Sequence, residues 1–237
     1  MAAKPETQSK DELSLSEKVN ERIGEIIQKS RMQLLVALAA IVMAIAVFVI
    51  VSVVREKGQS DALSKVDEFN RSYGKIKTSL SNEESSDISQ QLELGILLAE
   101  LTEFENNNSG FAAARAYSIS ASINMDQRNW EAAEEKWLKA ADAAPKSYFA
   151  PVAVYNAAVA AEERGNIESA IAYYSRAANF GESFPAAARA QFSVGRLEES
   201  RNNRDSAVEA YRNLLAKWPN EPVWPNLAQN RLLILSD

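Results

Sequence analysis

Hydrophobic and polar positions divide this chain into two unlike parts. From Leu34 to Val54 it reads LLVALAAIVMAIAVFVIVSVV, 21 residues in which Ser52 carries the sole polar side chain. A helix of that length rises about 31 Å, close to the thickness of a bilayer's hydrocarbon core. Fourteen of these residues are Leu, Ile, Val or Phe, and at about 0.3–0.6 kcal/mol each they favour insertion by roughly 4–8 kcal/mol. Valine is a modest helix former in water, but in lipid every backbone polar group needs an internal partner, so a single span must be helical. The run is longer than the apolar core of a signal peptide and ends in SVVREKGQS, without a small-residue cleavage pattern. A transmembrane helix over 33–54 is the expectation.

Beyond the span the apolar positions recur every three or four residues. Leu63, Val66, Phe69, Tyr73, Ile76 and Leu80 predict an amphipathic helix over 61–80, and a second apolar helix is predicted over 88–104. The stretches SNEESSD at 81–87 and ENNNSG at 105–110 read as loops, being rich in side chains that compete with helical hydrogen bonds. Residues 55–110 therefore form a linker and a degenerate helix pair. Ahead of the span, the arm at 1–32 places Leu15, Val19, Ile23, Ile26 and Ile27 at helical spacing among charges. That pattern suits a membrane surface or a partner helix, or a polar extension of the membrane helix.

From residue 111 to the end the chain repeats itself. Ala114 to Pro145, Pro151 to Glu182 and Ala188 to Pro219 align without gaps, with starts 37 residues apart. Small residues recur at Ala133, Ala170 and Ala207 and large aromatics at Trp137, Tyr174 and Tyr211. Small residues let two helices approach closely, and an aromatic fills the space between one helix pair and the next. Polar breaks fall at the equivalent point of each repeat, Asp126-Gln127-Arg128-Asn129, Arg164-Gly165-Asn166 and Asn202-Asn203-Arg204-Asp205. Each repeat thus reads as two helices joined by a tight turn. Leu227, Ala228, Leu232 and Leu235 then predict a solitary helix capping the stack.

This pattern resembles the tetratricopeptide (TPR) repeat, on a longer period than usual and with departures: Ala121 and Ala158 stand where the pattern favours the glycine kept at Gly195. Taken with the apolar run and the capping helix, the resemblance implies an all-α fold: a single N-terminal transmembrane helix, then an α-solenoid of about three TPR-like repeats with a capping helix. It also implies a concave face lined by the first helix of each repeat. Arg115, Ser118, Ser122, Val152, Tyr155, Val159, Arg189, Phe192 and Arg196 fall on that face. Tyr155, Phe192 and the arginines are of the types that dominate interface energies, although the two rings would equally serve as packing between helices. The TPR clamp for a C-terminal carboxylate is not expected, because only Asn156 and Arg189 match its basic and amide positions while Ser118 and Ser122 replace others.

Composition narrows the chemistry. The chain has no cysteine and no histidine, which removes thiol nucleophiles, the side chain that titrates most readily near neutral pH, and the commonest zinc ligands. The adjacent acids Glu134-Glu135, Glu162-Glu163 and Glu198-Glu199 point to different helix faces and read as solvated surface. No enzyme, cofactor or metal is expected. The net charge of −6, with no dense basic block, argues against nucleic acid as a partner. Protein or peptide segments remain as partners, with the membrane engaged through 33–54.

Charge does not settle sidedness, since Lys18, Arg22, Lys29 and Arg31 precede the span and Arg55, Lys57, Lys65, Arg71 and Lys75 follow it. A short arm, a first apolar segment and a large domain after it form the usual layout of an uncleaved signal anchor with a cytoplasmic N-terminus. That layout, with the stretch from Glu105 to Lys139, resembles the ancillary SecYEG translocon subunit family of bacterial inner membranes. The resemblance implies an extracytoplasmic repeat domain beside the translocon, passing exported proteins to chaperones. The alternative is a self-associating scaffold, for which Ala37, Ala40 and Ala44 offer close-approach positions on the anchor.

Overall fold

The computed structural model describes residues 31–81 and 87–236; the amphipathic arm at 11–30 and loop residues 82–86 lie outside the described residues. Among the described residues the fold is all-α, with nine α-helices. The membrane span and the amphipathic helix, expected as separate elements, form one 51-residue helix, α1 (Arg31–Ser81). No proline stands between them, and an isolated Gly58 costs a helix only about 1 kcal/mol relative to alanine. Nothing in that stretch terminates the helix.

The chain divides into two compact units between Gly58 and Gln59. In the first, every described side chain from Leu35 to Val53 is exposed. Ser52 satisfies its hydroxyl by donating to the Phe48 carbonyl, 2.8 Å away, one turn back. The helix is long and apolar enough to cross a membrane.

The second unit is a solenoid. It comprises the later part of α1 and α2 (Asp87–Asn107), α3 (Gly110–Asp126), α4 (Trp130–Ala143), α5 (Ala150–Glu163), α6 (Ile167–Ala178), α7 (Ala187–Ser200), α8 (Arg204–Lys217) and α9 (Trp224–Ser236). From α2 onward each helix packs on the next, and α9 also reaches back to α7. The helix pairs α3/α4, α5/α6 and α7/α8 are the three repeats.

The turns inside those pairs share one geometry. Arg128, Gly165 and Asn202, at 37-residue intervals, have φ of 60°, 82° and 61°. The next residue in each case, Asn129, Asn166 or Asn203, donates its backbone N–H to the carbonyl of Asn124, Ala161 or Glu198 at 2.8–2.9 Å. This left-handed residue followed by a 6→1 hydrogen bond is the Schellman ending of a helix. Only the middle turn uses glycine for it. In the third turn Arg204 and Asp205, expected in the break, instead open α8.

ENNNSG at 105–110 is also shorter as a loop than its composition suggests. Helix α2 runs on through Asn107, and Asn108 Nδ2 donates to the Phe104 carbonyl at 2.9 Å. Glu105 is pulled into the helix because it has buried partners: Ser120 Oγ donates to it at 2.6 Å and Lys136 forms an ion pair with it.

Packing follows the repeat columns. Ala133, Ala170 and Ala207 are fully buried, as are Ala140, Ala177 and Leu214 in the next column. Beside them Trp137, Tyr174 and Tyr211 are at most 6% exposed. Gly195 lies against Tyr211 so closely that a Cβ there would come within 2.5 Å of the ring. A separate apolar cluster joins Val66, Phe69 and Ile76 of α1 to Leu94, Leu97 and Leu101 of α2 and to Ile119 and Ile123 of α3. The degenerate pair therefore packs into the same unit as the repeats.

Candidate protein-binding surface

The first helices of the repeats place their side chains in matched columns: Arg115, Val152 and Arg189; Ser118, Tyr155 and Phe192; Ser122, Val159 and Arg196. The structure gives these columns different surroundings at the two ends of the solenoid. Towards α1, Arg115 Nη1 lies 3.2 Å from Asp67 Oδ1, and the Ser118 hydroxyl donates to the Arg115 carbonyl at 2.6 Å. Ser122 similarly donates to the Ser118 carbonyl at 2.8 Å. This end of the surface is internally paired.

Towards α9 the columns converge on an aromatic cluster. Tyr155 of α5 is half-buried, edge-on to Tyr174 with ring centroids 5.2 Å apart and 5.9 Å from Phe184. Phe192 of α7 is half-buried between Tyr211 and Trp224, each with its centroid 5.4 Å away. Asn156 is half-buried next to Tyr155 in the chain. Both aromatic residues thus pack between helices along one edge while keeping part of the ring accessible. Burial raises the pKa of the Tyr155 hydroxyl, with the charge of Arg189 pulling against it.

Arg189 is exposed, with its guanidinium 5.6 Å from the Tyr155 ring and 5.9 Å from that of Trp224. Among the described residues no carboxylate pairs with it. Two flanking rings hold a flat cation by cation–π attraction while its N–H edge stays open to an acceptor. Arg196, one column further, is committed differently. Its Nη2 reaches both Glu162 oxygens, at 2.7 and 2.8 Å, and Tyr174 donates its hydroxyl to the same carboxylate at 3.0 Å. Arg196 therefore joins α5 to α7 rather than facing the surface alone.

The structure brings Tyr155, Arg189 and Phe192 together and sets Arg115, Ser118 and Arg196 among other partners. The Trp224 that completes the cluster lies outside the matched columns, at the start of the capping helix. Its signal was a tryptophan followed by proline at a helix start, which the spacing of the repeat does not reach.

The adjacent acids also differ from expectation. Glu134 is 7% exposed, accepts from Tyr173 at 3.2 Å and has Arg164 Nη2 within 3.0 Å of its other oxygen. Glu162 and Glu199 are half-buried and held by Arg196 and Arg231 from the following helix pair or cap. One acid of each pair is structural, tying one repeat to the next, while Glu135 and Glu163 remain exposed.

Two similarities to known proteins accompany this geometry. Residues 119–217 match a domain of unknown function (DUF6340). A TPR repeat-containing protein of Treponema pallidum (strain Nichols) is 38% identical over 127 residues, which make up 54% of this chain and 52% of that protein. The chain thus spans about half the length of the curated relative it matches. The relative's name agrees with the TPR-like character of the helix pairs, and neither similarity bears on the translocon resemblance.

Proposed function

We propose that this chain is a membrane-anchored protein-interaction adaptor. In this reading α1 crosses the bacterial inner membrane with the N-terminus in the cytoplasm. The solenoid stands outside and holds protein segments during export or envelope folding beside the translocon. The observation that carries the binding role is the exposed Arg189 set between Tyr155 and Trp224, with Phe192 alongside. Partly accessible aromatics around a cation with open donors are what grip a peptide's side chains and backbone carbonyls. Anchoring is supported by the uninterrupted exposure of apolar side chains from Leu35 to Val53, which water would disfavour on every side. A tether raises the effective concentration of a weak groove beside its partners.

The test is site-specific photocrosslinking in intact membranes, with a photoreactive residue at Phe192 or, as control, at the exposed Glu209 of α8. Adducts to translocon subunits or export chaperones at 192, absent at 209 and lost on Arg189→Ala, are expected. Equal labelling at both positions would overturn the groove. Protease added to spheroplasts is expected to digest the repeats, whereas protection until lysis would place them in the cytoplasm and end the export reading.

A further inference from the structure

Helix α2 is apolar on two opposite sides. Leu94, Leu97 and Leu101 are buried against α1 and α3. On the far side Ile88, Leu92 and Ile96 are 81%, 66% and 53% exposed. Spaced by four, they stack along one helix face. Gly95 and Ala99 are exposed beside them, and a side chain built at Gly95 would meet nothing within 4 Å. Single exposed aliphatics are ordinary on a protein surface; three in register, next to two small residues that let another backbone come close, mark a face that something covers.

We propose that the face docks a second copy of this chain, two α2 helices crossing about a two-fold axis near Gly95. The rim charges select this occupant. Along one flank a groove is lined by Glu93 and Glu100 of α2 and by Lys75 and Ser72 of α1. A two-fold interface places the same surface on both sides, so it must be its own complement. Here it is: Glu93 or Glu100 of one copy meets Lys75 of the other, twice over. An anionic membrane surface is a poor alternative, because Glu93, Glu100 and Glu103 are all exposed on α2 and it bears no Lys or Arg. A patch of this kind covers a few hundred Å², which falls short of the roughly 1,200 Å² of total buried area typical of a stable free complex. Confinement of both copies to one bilayer supplies the missing effective concentration. In that respect the proposal rests on the anchoring read above, but not on the Arg189 groove.

The absence of native cysteine makes the test clean. Full-length Gly95→Cys in native membranes, under mild oxidation, is expected to form a disulfide-linked species of twice the 26.1 kDa chain mass. A control Glu209→Cys is expected not to. Adding Leu92→Glu should lower the dimer fraction at least about tenfold, since two carboxylates would be buried without partners. Leu92 is exposed, so thermal melting should be unchanged and a folding defect is separable. Equal crosslinking at 95 and 209, or insensitivity to Leu92→Glu, overturns the proposal. Crosslinks from the thiol introduced at position 95 to a different protein overturn it in favour of a heterologous partner. An environment-sensitive dye on that thiol which shifts to the blue without any crosslink overturns it in favour of lipid. If anchoring alone were wrong, the chain would leave the membrane fraction, an outcome read independently by sedimentation.

Discussion

Replacing Gly195 by alanine tests the packing logic of the repeats most directly. A Cβ at this position would stand 2.5, 2.7 and 2.8 Å from three ring atoms of Tyr211, where carbon contacts settle at about 3.5–4.0 Å. The ring has no room to retreat: Tyr211 is fully buried, clustered with Ala207, Leu214 and Ala228, and its centroid is 5.4 Å from that of Phe192. Forcing extra volume into such a site costs about 1–3 kcal/mol. Alanine meanwhile gains about 1 kcal/mol of helix propensity over glycine. The net expectation is a loss of about 1 kcal/mol, and a solenoid of this size should melt roughly 2–4 °C lower.

Thermal melting of the full chain in mild detergent measures the effect, and a double-mutant cycle assigns it. In a Tyr211→Leu background, Gly195→Ala should become neutral or stabilising, because only the propensity gain is left. The reverse change, Ala158→Gly in the preceding repeat, should destabilise, since Ala158 is fully buried in the same core cluster as Tyr174 and the change removes a buried methyl group as well as helix propensity. A Gly195→Ala chain that melts at or above the parent would refute the reasoning, as would an equal effect with and without the Tyr211 ring.

Three other perturbations follow from the same structure. Glu105→Ala leaves the largely buried Lys136 ammonium and the fully buried Ser120 hydroxyl without their carboxylate; a loss of about 3 kcal/mol is expected in denaturant melts, with Glu105→Gln losing less. Gly165→Ala places a side chain at φ 82° and should cost about 1–2 kcal/mol, whereas Arg128→Gly, at φ 60°, should be neutral or slightly stabilising. Burial and the neighbouring Glu162 raise the pKa of the Tyr174 hydroxyl. The fold therefore prefers the neutral phenol, and this contribution is intact below the unfolded tyrosine pKa of about 10 and is lost as pH climbs through the folded value. Stability should fall by up to about 1.4 kcal/mol per pH unit above 10 for this residue, and Tyr174→Phe should flatten that slope in pH-dependent melts.

How much of this was legible in the sequence depends on whether a feature is local. The columns of Ala133, Ala170 and Ala207 and of Trp137, Tyr174 and Tyr211 could be read because side-chain size at a fixed interval is a property of the sequence itself. The left-handed turn residues were visible as polar breaks, although Arg128 and Asn202 hide the geometry that Gly165 announces. The continuity of α1 was harder to read, since a helix passes through any stretch that lacks a strong breaker, and REKGQS looks like a loop by composition alone. Least legible was the burial of acids. Glu105, Glu134, Glu162 and Glu199 look like surface or loop residues, yet each is held by a cation about thirty residues further along, Lys136, Arg164, Arg196 and Arg231. Stacking of successive helix pairs brings those distances in sequence down to contact, and no local periodicity reports it. Stacking also separates the arginines of the candidate surface. Arg189 and Arg196 are two turns apart on α7 and alike in sequence, but the inter-repeat ladder engages Arg196 through Glu162, while Arg189 lies against the Tyr155 and Trp224 rings with no carboxylate paired to it among the described residues. The binding role proposed for the first and the structural role of the second rest on what the neighbouring repeat presents to each.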